Sequence, residues 1–497
     1  MSSEMVGETE QLLAADPDHE ENYGTTPSSG QSTIVGSQAG DEVLDAEDDP
    51  LLWPTAFKRS IVWLLAAMAF TVTFNCISVI PVAGTIVADL SGASAGQSYS
   101  VLLITIWELG EATGPLLIGP LSEAFGRYPV MNAGNVLFIS ATVLAALSPS
   151  INTFIAARAL TGLAVTANVL NPAVVGDIFP PEKRGSAMSV IQLAPLIGGA
   201  IGPAISGAIT QSVGWRSVLW ISASLAAACE VVFLTFFRET YKVQLQRRRR
   251  AKSLCKHGGG PDGAWRGRLL FDSIRRPARV LASSGVLMAL TLFGSVMFAH
   301  YYVMSVTLPQ ILQDNYGLSP ALTGSALISF SIGSALAVTV CNQTIDRIYI
   351  RLRAQNNGVG QPEHRLPLVI VGGVGLPLSV MLYGWSAELR LPLYMVLLPV
   401  VLLGTTLMFT LLPLFAYVVD AFGVYSASAL TALIVLRCLA GTFLPLTTTP
   451  LADALGYGWG FTVLGLGSLL LAPVPVVVMR YGAVWRQRSG YSRDGDQ

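Results

Sequence analysis

Charge is what this sequence has least of. Only 12% of its 497 residues are Asp, Glu, Lys or Arg, and 52% are hydrophobic, where a soluble chain carries roughly a quarter charged residues. A soluble protein is therefore excluded, and the net charge of −1 implies no nucleic-acid partner. Cysteine is also scarce, with Cys76, Cys229, Cys255, Cys341 and Cys438 too scattered for a disulfide framework or a metal-ligand pair. There is no Lys or Arg before Lys58, and the first residues are acidic and polar. A cleavable signal is thus not expected, and the first membrane helix is expected to act as the targeting signal. No Gly-x-x-x-x-Gly-Lys-Ser/Thr phosphate loop and no nucleophile–base constellation occurs, so neither an enzyme nor an ATP-driven pump is expected. No cofactor is called for, and a proton gradient is the expected energy source.

What the chain does have is a succession of apolar runs. Each is about 20 residues long, enough to cross a ~30 Å hydrocarbon core as helix, and they are too long and uniform for barrel strands. The spans are read as Ser60–Val82, Ser98–Leu117, Val130–Ser148, Thr153–Gly176, Ala187–Thr210 and Ser217–Phe237. After a long basic loop come Ser283–Leu308, Leu322–Gln343, Leu366–Trp385, Leu391–Tyr417, Ser426–Thr449 and Trp459–Arg480. This is an all-α membrane protein of about twelve transmembrane helices in two pseudo-symmetric six-helix bundles. The expected domains are an acidic disordered tail at 1–57, bundles at 58–238 and 283–482, a basic loop at 239–282 and a tail at 483–497.

Basic residues fall on one side of these spans. Arg127, Lys183, Arg184, the loop from Arg238 through Arg247–Arg250 to Arg279, the Arg347–Arg365 loop and the Arg480–Arg493 tail contrast with only Arg216 and Arg390 opposite. The positive-inside rule puts both termini in the cytoplasm. The plasma membrane is the expected location, with the Glu8-Thr9-Glu10-Gln11-Leu12-Leu13 pattern leaving the vacuolar membrane open. The bilayer is the expected surrounding and a monomer the expected state.

An internal repeat supports the two halves. Val174-Val175-Gly176-Asp177-Ile178-Phe179 is echoed by Tyr417-Val418-Val419-Asp420-Ala421-Phe422, and Gly198-Gly199-Ala200-Ile201-Gly202-Pro203 lies opposite Gly441-Thr442-Phe443-Leu444-Pro445. Repeated halves with a site between them are transporter architecture. In the turn Gly119-Pro120-Leu121-Ser122-Glu123-Ala124-Phe125-Gly126-Arg127, an acid and a base stand four apart among glycines that permit close approach. Such a pair can latch two helices. Gly198, Gly202, Pro203 and Gly207 suit a tightly packed, bent helix between the halves.

These motifs resemble the Major Facilitator Superfamily. The Gly119–Arg127 turn is similar to its signature loop, with Glu123 where the common pattern has Asp. Arg158-Ala159-Leu160-Thr161-Gly162 resembles its fourth-helix arginine motif, and Gly198–Gly207 the fifth-helix antiporter motif, with Ser206 in place of a Gly. Together with Arg184-Gly185, Gly214-Trp215-Arg216, Phe237–Tyr241, Arg437 and Gly456–Trp459, the order is similar to that of fungal twelve-helix drug:proton antiporters. The resemblance runs from Lys58 to Gly482 and lacks the Pro-Glu-Ser-Pro-Arg and Pro-Glu-Thr loop signatures of sugar porters. It implies proton-coupled export of hydrophobic or amphipathic small molecules by alternating access.

The residues for that task are read from the membrane-buried charges. Glu108 and Glu111 share one helical face, and burial and mutual repulsion suit such a pair to exchange protons. With Arg158 as a partner, they form the expected proton-responsive group. Asn75, Asn168, Asn171, His300, Tyr301 and Tyr302 are candidates for a cavity wall, although His300 also suits a satisfied core position. Asp177, Arg184 and Asp420 join Glu123 and Arg127 as candidates for a latch. A polyamine or organic-cation transporter is the alternative, and a non-transporting nutrient receptor the remote one.

Overall fold

Within hydrocarbon a backbone must satisfy its own polar groups, and every long apolar segment of this chain is helical. The structure, a computed structural model, describes residues 49–91, 97–165, 167–246 and 275–489. Most of the acidic tail with its dileucine pattern, the middle of the basic loop with Arg247–Arg250 and Cys255, the final residues and the Asn168 side chain lie outside the described residues.

The first set of helices is α1 Thr55–Ile77, α2 Ala83–Ser91, α3 Gln97–Phe125, α4 Arg127–Ala146, α5 Ile151–Leu163, α6 Ala167–Ile178, α7 Pro181–Val213 and α8 Trp215–Phe236. The second is α9 Gly285–Tyr316, α10 Pro320–Ala326, α11 Ile328–Gln355, α12 Pro367–Glu388, α13 Leu393–Phe422, α14 Ser426–Phe443, α15 Thr448–Leu469 and α16 Pro473–Arg486. No strand occurs among the described residues. Among the described residues, ten stretches are long and apolar enough to cross a membrane. Two further crossings are hidden. The fourth span is broken into α5 and α6, and the 61-residue stretch Ser426–Arg486 folds back at Gly456, whose φ of 75° interrupts α15.

The two sets repeat one packing scheme. In the first, α1 packs on α7, α3 on α5 and α4 on α8; in the second, α9 packs on α14, α11 on α13 and α12 on α15. The same reciprocal close approach recurs too. Room for a Cβ is denied at Gly110 by the Ala159 carbonyl and at Gly162 by that of Trp107, while Gly333 meets the Val401 carbonyl and Gly404 that of Phe330. Small residues let these backbones touch, as interfaces in lipid require.

Between the sets, α3 packs on α14, and α7 on α10 and α11. Cβ atoms at Gly207 and Gly324 would collide with the carbonyls of Pro320 and Pro203 respectively, and Gln313 Nε2 donates to the Pro81 carbonyl at 3.2 Å. The contacts of Gly207, Gly324 and Gln313 lie toward the helix ends opposite the basic ones.

At the basic end, the ion pairs among the described residues stay inside each set. Arg127 meets Asp177 at 3.3 Å, and Arg365 meets Asp420 at 2.9 Å and Asp346 at 2.7 Å. These are equivalent joints in the repeat, each tying the start of a span to the end of the next. Gly126 has φ 104° and a Cβ there would overlap the Glu239 carboxylate, which accepts the backbone N–H of Arg127 at 2.8 Å. Gly126→Ala should cost about 1–3 kcal/mol from strain and a displaced cap. A thermal-denaturation midpoint unchanged from wild type would contradict that.

Candidate functional site

Glu108 and Glu111 stand one turn apart near the middle of α3, on the face turned toward the second set. Both are buried, at 2% and 8% exposure. Tyr302 on α9 donates its hydroxyl to Glu108 Oε1 at 2.6 Å. Glu111 accepts from Trp107 Nε1 at 3.2 Å and forms an ion pair with Arg437 of α14 at 3.6 Å. The acids of one set are thus held by groups of the other.

They line a cavity of about 330 Å³. Its wall is aromatic: Trp107, Phe298, Tyr301, Tyr302 and Phe330 line it with Arg437 and the two acids. Tyr301 lies 5.0 Å from Tyr302 and 4.8 Å from Phe330, centroid to centroid, and the Arg437 guanidinium sits 4.3 Å over Phe298. A smaller space of about 120 Å³, sharing Ile77, Pro195, Tyr301, Phe330 and Met408, adjoins it toward the closed end. Flat apolar rings with a few fixed polar groups are what a binding site for an amphipathic ligand needs.

Several expected site residues do other work. Arg158 does not pair with the acids. It donates to the carbonyls of Asn75 and Cys76 at 3.1 and 3.0 Å, satisfying the otherwise orphaned carbonyls at the end of α1, and stacks over Trp107 at 5.5 Å. The cation that serves Glu111 is Arg437, quoted above only as part of the resemblance. An arginine in an apolar run was the signal that marked it. Asn75 points its amide at Thr142 at 3.4 Å, and Asn171 is buried on α6; neither lines the cavity.

His300 is held on both ring nitrogens, by the Val296 carbonyl at 2.8 Å and Ser468 Oγ at 3.1 Å, away from the cavity. His300→Gln should therefore leave the pH profile of transport unchanged, and a displaced profile would contradict this placement.

The turn after α3 is also rearranged. Glu123 is exposed, so the four-apart spacing does not make its pair with Arg127. Arg127 turns instead to Ser122 and Asp177, with Thr240 donating to the same Asp177 at 3.1 Å and Tyr241 under the guanidinium at 4.7 Å. Gly119 lies on α3 itself, ahead of the turn. Arg184 caps α6 by donating to the carbonyls of Phe179 and Gly176 at 3.0 and 2.8 Å. Asp420 serves the matching joint in the second set. Gly198 and Gly202 face Phe70, Phe74 and Ser78 of the α1 span, whereas Pro203 and Gly207 meet α10. Glu239 and Arg365, both central to these clusters, had no isolated sequence signal because each sits in a polar joint.

Known proteins place this architecture. The family model for the Major Facilitator Superfamily matches residues 62–445. The MFS-type transporter hepF of Aspergillus oryzae is 31% identical over 463 residues, covering 91% of this chain and 95% of its own. The efflux pump radE of Floropilus chiversii is 32% identical over 450 residues, covering 88% and 83%. Among solved structures, a D-xylose–proton symporter gives a TM-score of 0.66 at 17% identity, covering 85% of this chain and 97% of its own, a likeness of fold. The chain belongs to the Major Facilitator Superfamily and is a membrane transporter, not an enzyme.

Proposed function

We propose that this transporter exports hydrophobic or amphipathic small molecules in exchange for protons, working between two six-helix halves. The observation that carries the reading is the polar junction of Glu108 and Glu111 with Tyr302 and Arg437 in the wall of an aromatic cavity. An ion pair and a charge-assisted hydrogen bond across the halves resist their separation. Proton uptake by the acids neutralises both, so protonation biases which end is open.

With the cavity closed at the end opposite the basic one, the structure suits a state that receives ligand from the cytoplasm, the positive-inside rule giving the sidedness. Related proteins named efflux pumps, such as radE, support the outward direction. Both termini then lie in the cytoplasm, and the plasma membrane is the proposed location. Arg437 in the cavity wall disfavours the polyamine alternative, because a polycation would face an already neutralised acid.

Proteoliposomes loaded with pyranine test the reading. Nile red, a neutral amphiphile, should drive proton movement opposite to its own along an imposed pH gradient. Proton movement with the organic cation rhodamine 6G alone would favour the cation reading, and none with either probe would contradict coupled export.

A further inference from the structure

Cys438 follows Arg437 on α14 and has no part in the proton junction. Its side chain is fully buried, and its sulfur is the hydrogen-bond neighbour of both Glu108 and Arg437. One ligand atom from each of Glu108, Glu111 and Cys438 lies within 4.8 Å of the other two. Tyr302 takes Glu108 Oε1, whereas the buried Oε2 meets no nitrogen or oxygen donor among the described residues. A thiol is a weak donor, so the protein alone serves this oxygen poorly. Sequence spacing does not announce the group, because its members come from α3 of one set and α14 of the other.

We propose that Glu108, Glu111 and Cys438 form a site for a thiophilic divalent cation of the Zn²⁺ or Cd²⁺ kind. A thiolate with two carboxylate oxygens suits such ions, whereas Mg²⁺ and Ca²⁺ take oxygen alone. With Zn–S about 2.3 Å and Zn–O about 2.0–2.2 Å, the ligand atoms of a tetrahedral site stand roughly 3.3–3.7 Å apart. Closing the group from 4.8 Å therefore takes side-chain movement of about 1 Å. Charge balances as well. Two carboxylates and the Arg437 guanidinium leave one net negative charge. As the ion enters, the S–H bond of Cys438 breaks, its electron pair stays on sulfur to form the sulfur–metal bond, and the proton goes to water, which leaves the cluster neutral. Arg437 stays as the counter-charge of Glu111. Both acids line the cavity, the way in for the ion. An occupied site ties α3 to α14 and so holds the two sets as they stand. Inhibition of transport follows, and that consequence alone rests on the proposed function.

Titration of the purified, reduced full-length protein with cadmium chloride reads the site through its sulfur-to-cadmium charge-transfer band. Wild type should give a saturable band. Cys438→Ser should lose it and bind Cd²⁺ at least about tenfold more weakly, since even an outer partner of a metal ligand is worth about 10–100-fold in affinity. Cys76→Ser, which removes a thiol from the cavity wall, and Cys255→Ser, which removes the thiol near His257, should each keep the band. Glu108→Gln and Glu111→Gln should each weaken Cd²⁺ binding about tenfold or more, and they carry the test should Cys438→Ser fail to fold by gel filtration. No saturable band, a band that survives in Cys438→Ser, loss in Cys76→Ser or Cys255→Ser instead, affinity unchanged in both Gln variants, or displacement by equimolar Mg²⁺ would overturn the proposal. Gradient-driven flux of Nile red in the same preparation separates the site from the transport reading. Saturating Cd²⁺ should stop flux in wild type and spare it in Cys438→Ser. Flux undiminished in Cd²⁺-loaded wild type would overturn the lock, and an intact band without any flux removes only the transport reading.

Discussion

Glu108→Gln protein, at normal membrane abundance, should lose pH-gradient-driven export by roughly 5- to 150-fold, the span of a 1–3 kcal/mol coupling energy. The variant is close to isosteric, and its amide oxygen can still accept the Tyr302 hydroxyl that now reaches Glu108 Oε1. What it removes is the ability to change charge. Glu111→Gln should abolish coupling as well, but with a second effect, because Arg437, whose side chain is only 16% exposed, would be left with its ion-pair partner gone. Breaking a buried pair on one side typically costs about 3–5 kcal/mol, so that variant is expected at reduced abundance. Adding Arg437→Gln should restore abundance without restoring coupling. Abundance measured by quantitative blotting and export measured in vesicles separate the two roles. Export unchanged in both single variants would remove the acids from the proton pathway.

Gly324→Val should abolish transport while leaving the protein folded. A Cβ at this position would overlap the Pro203 carbonyl, and that contact joins α10 to α7, one helix from each set. The neighbouring contact of Gly207 with Pro320 makes the approach mutual. Forcing the backbones apart opens the closed end without disturbing the packing within either set. A fall in flux of tenfold or more with thermal stability near wild type is expected. Gly162→Val is the control, because Gly162 packs against the Trp107 carbonyl within one set. There the overlap should lower stability by about 1–3 kcal/mol. Equal loss of stability in both variants would contradict the distinction.

Much of this was legible in the chain. Twelve spans follow from apolar length, because lipid leaves the backbone no alternative to helix. The acids on α3 were conspicuous since burial of charge in an apolar run is rare. The end of α5 after Leu163 was not legible, as neither Ala164 nor Val165 is a proline or glycine. Partners across the molecule were harder still. Arg158 and Arg437 look alike as single arginines in apolar runs, and only the placement of α1 and α14 decides that one caps a helix and the other meets Glu111. Glu123 and Arg127 had helical spacing, but Gly126 at φ 104° ends α3 between them. Arg127 therefore starts a new helix and points elsewhere.

The central claim is that protonation of Glu108 and Glu111 changes how the two halves meet. Spin labels at Ser186 on α7 and Arg351 on α11, both exposed near the basic ends, report that arrangement directly by double electron–electron resonance on the reconstituted protein. The account predicts longer distances at pH 8.5, with the junction intact and the basic end open, and a shift of population toward shorter distances at pH 5.5. The Glu108→Gln, Glu111→Gln protein should give one distribution at both pH values. Identical wild-type distributions at the two pH values, or a pH response that survives in the double variant, would contradict it.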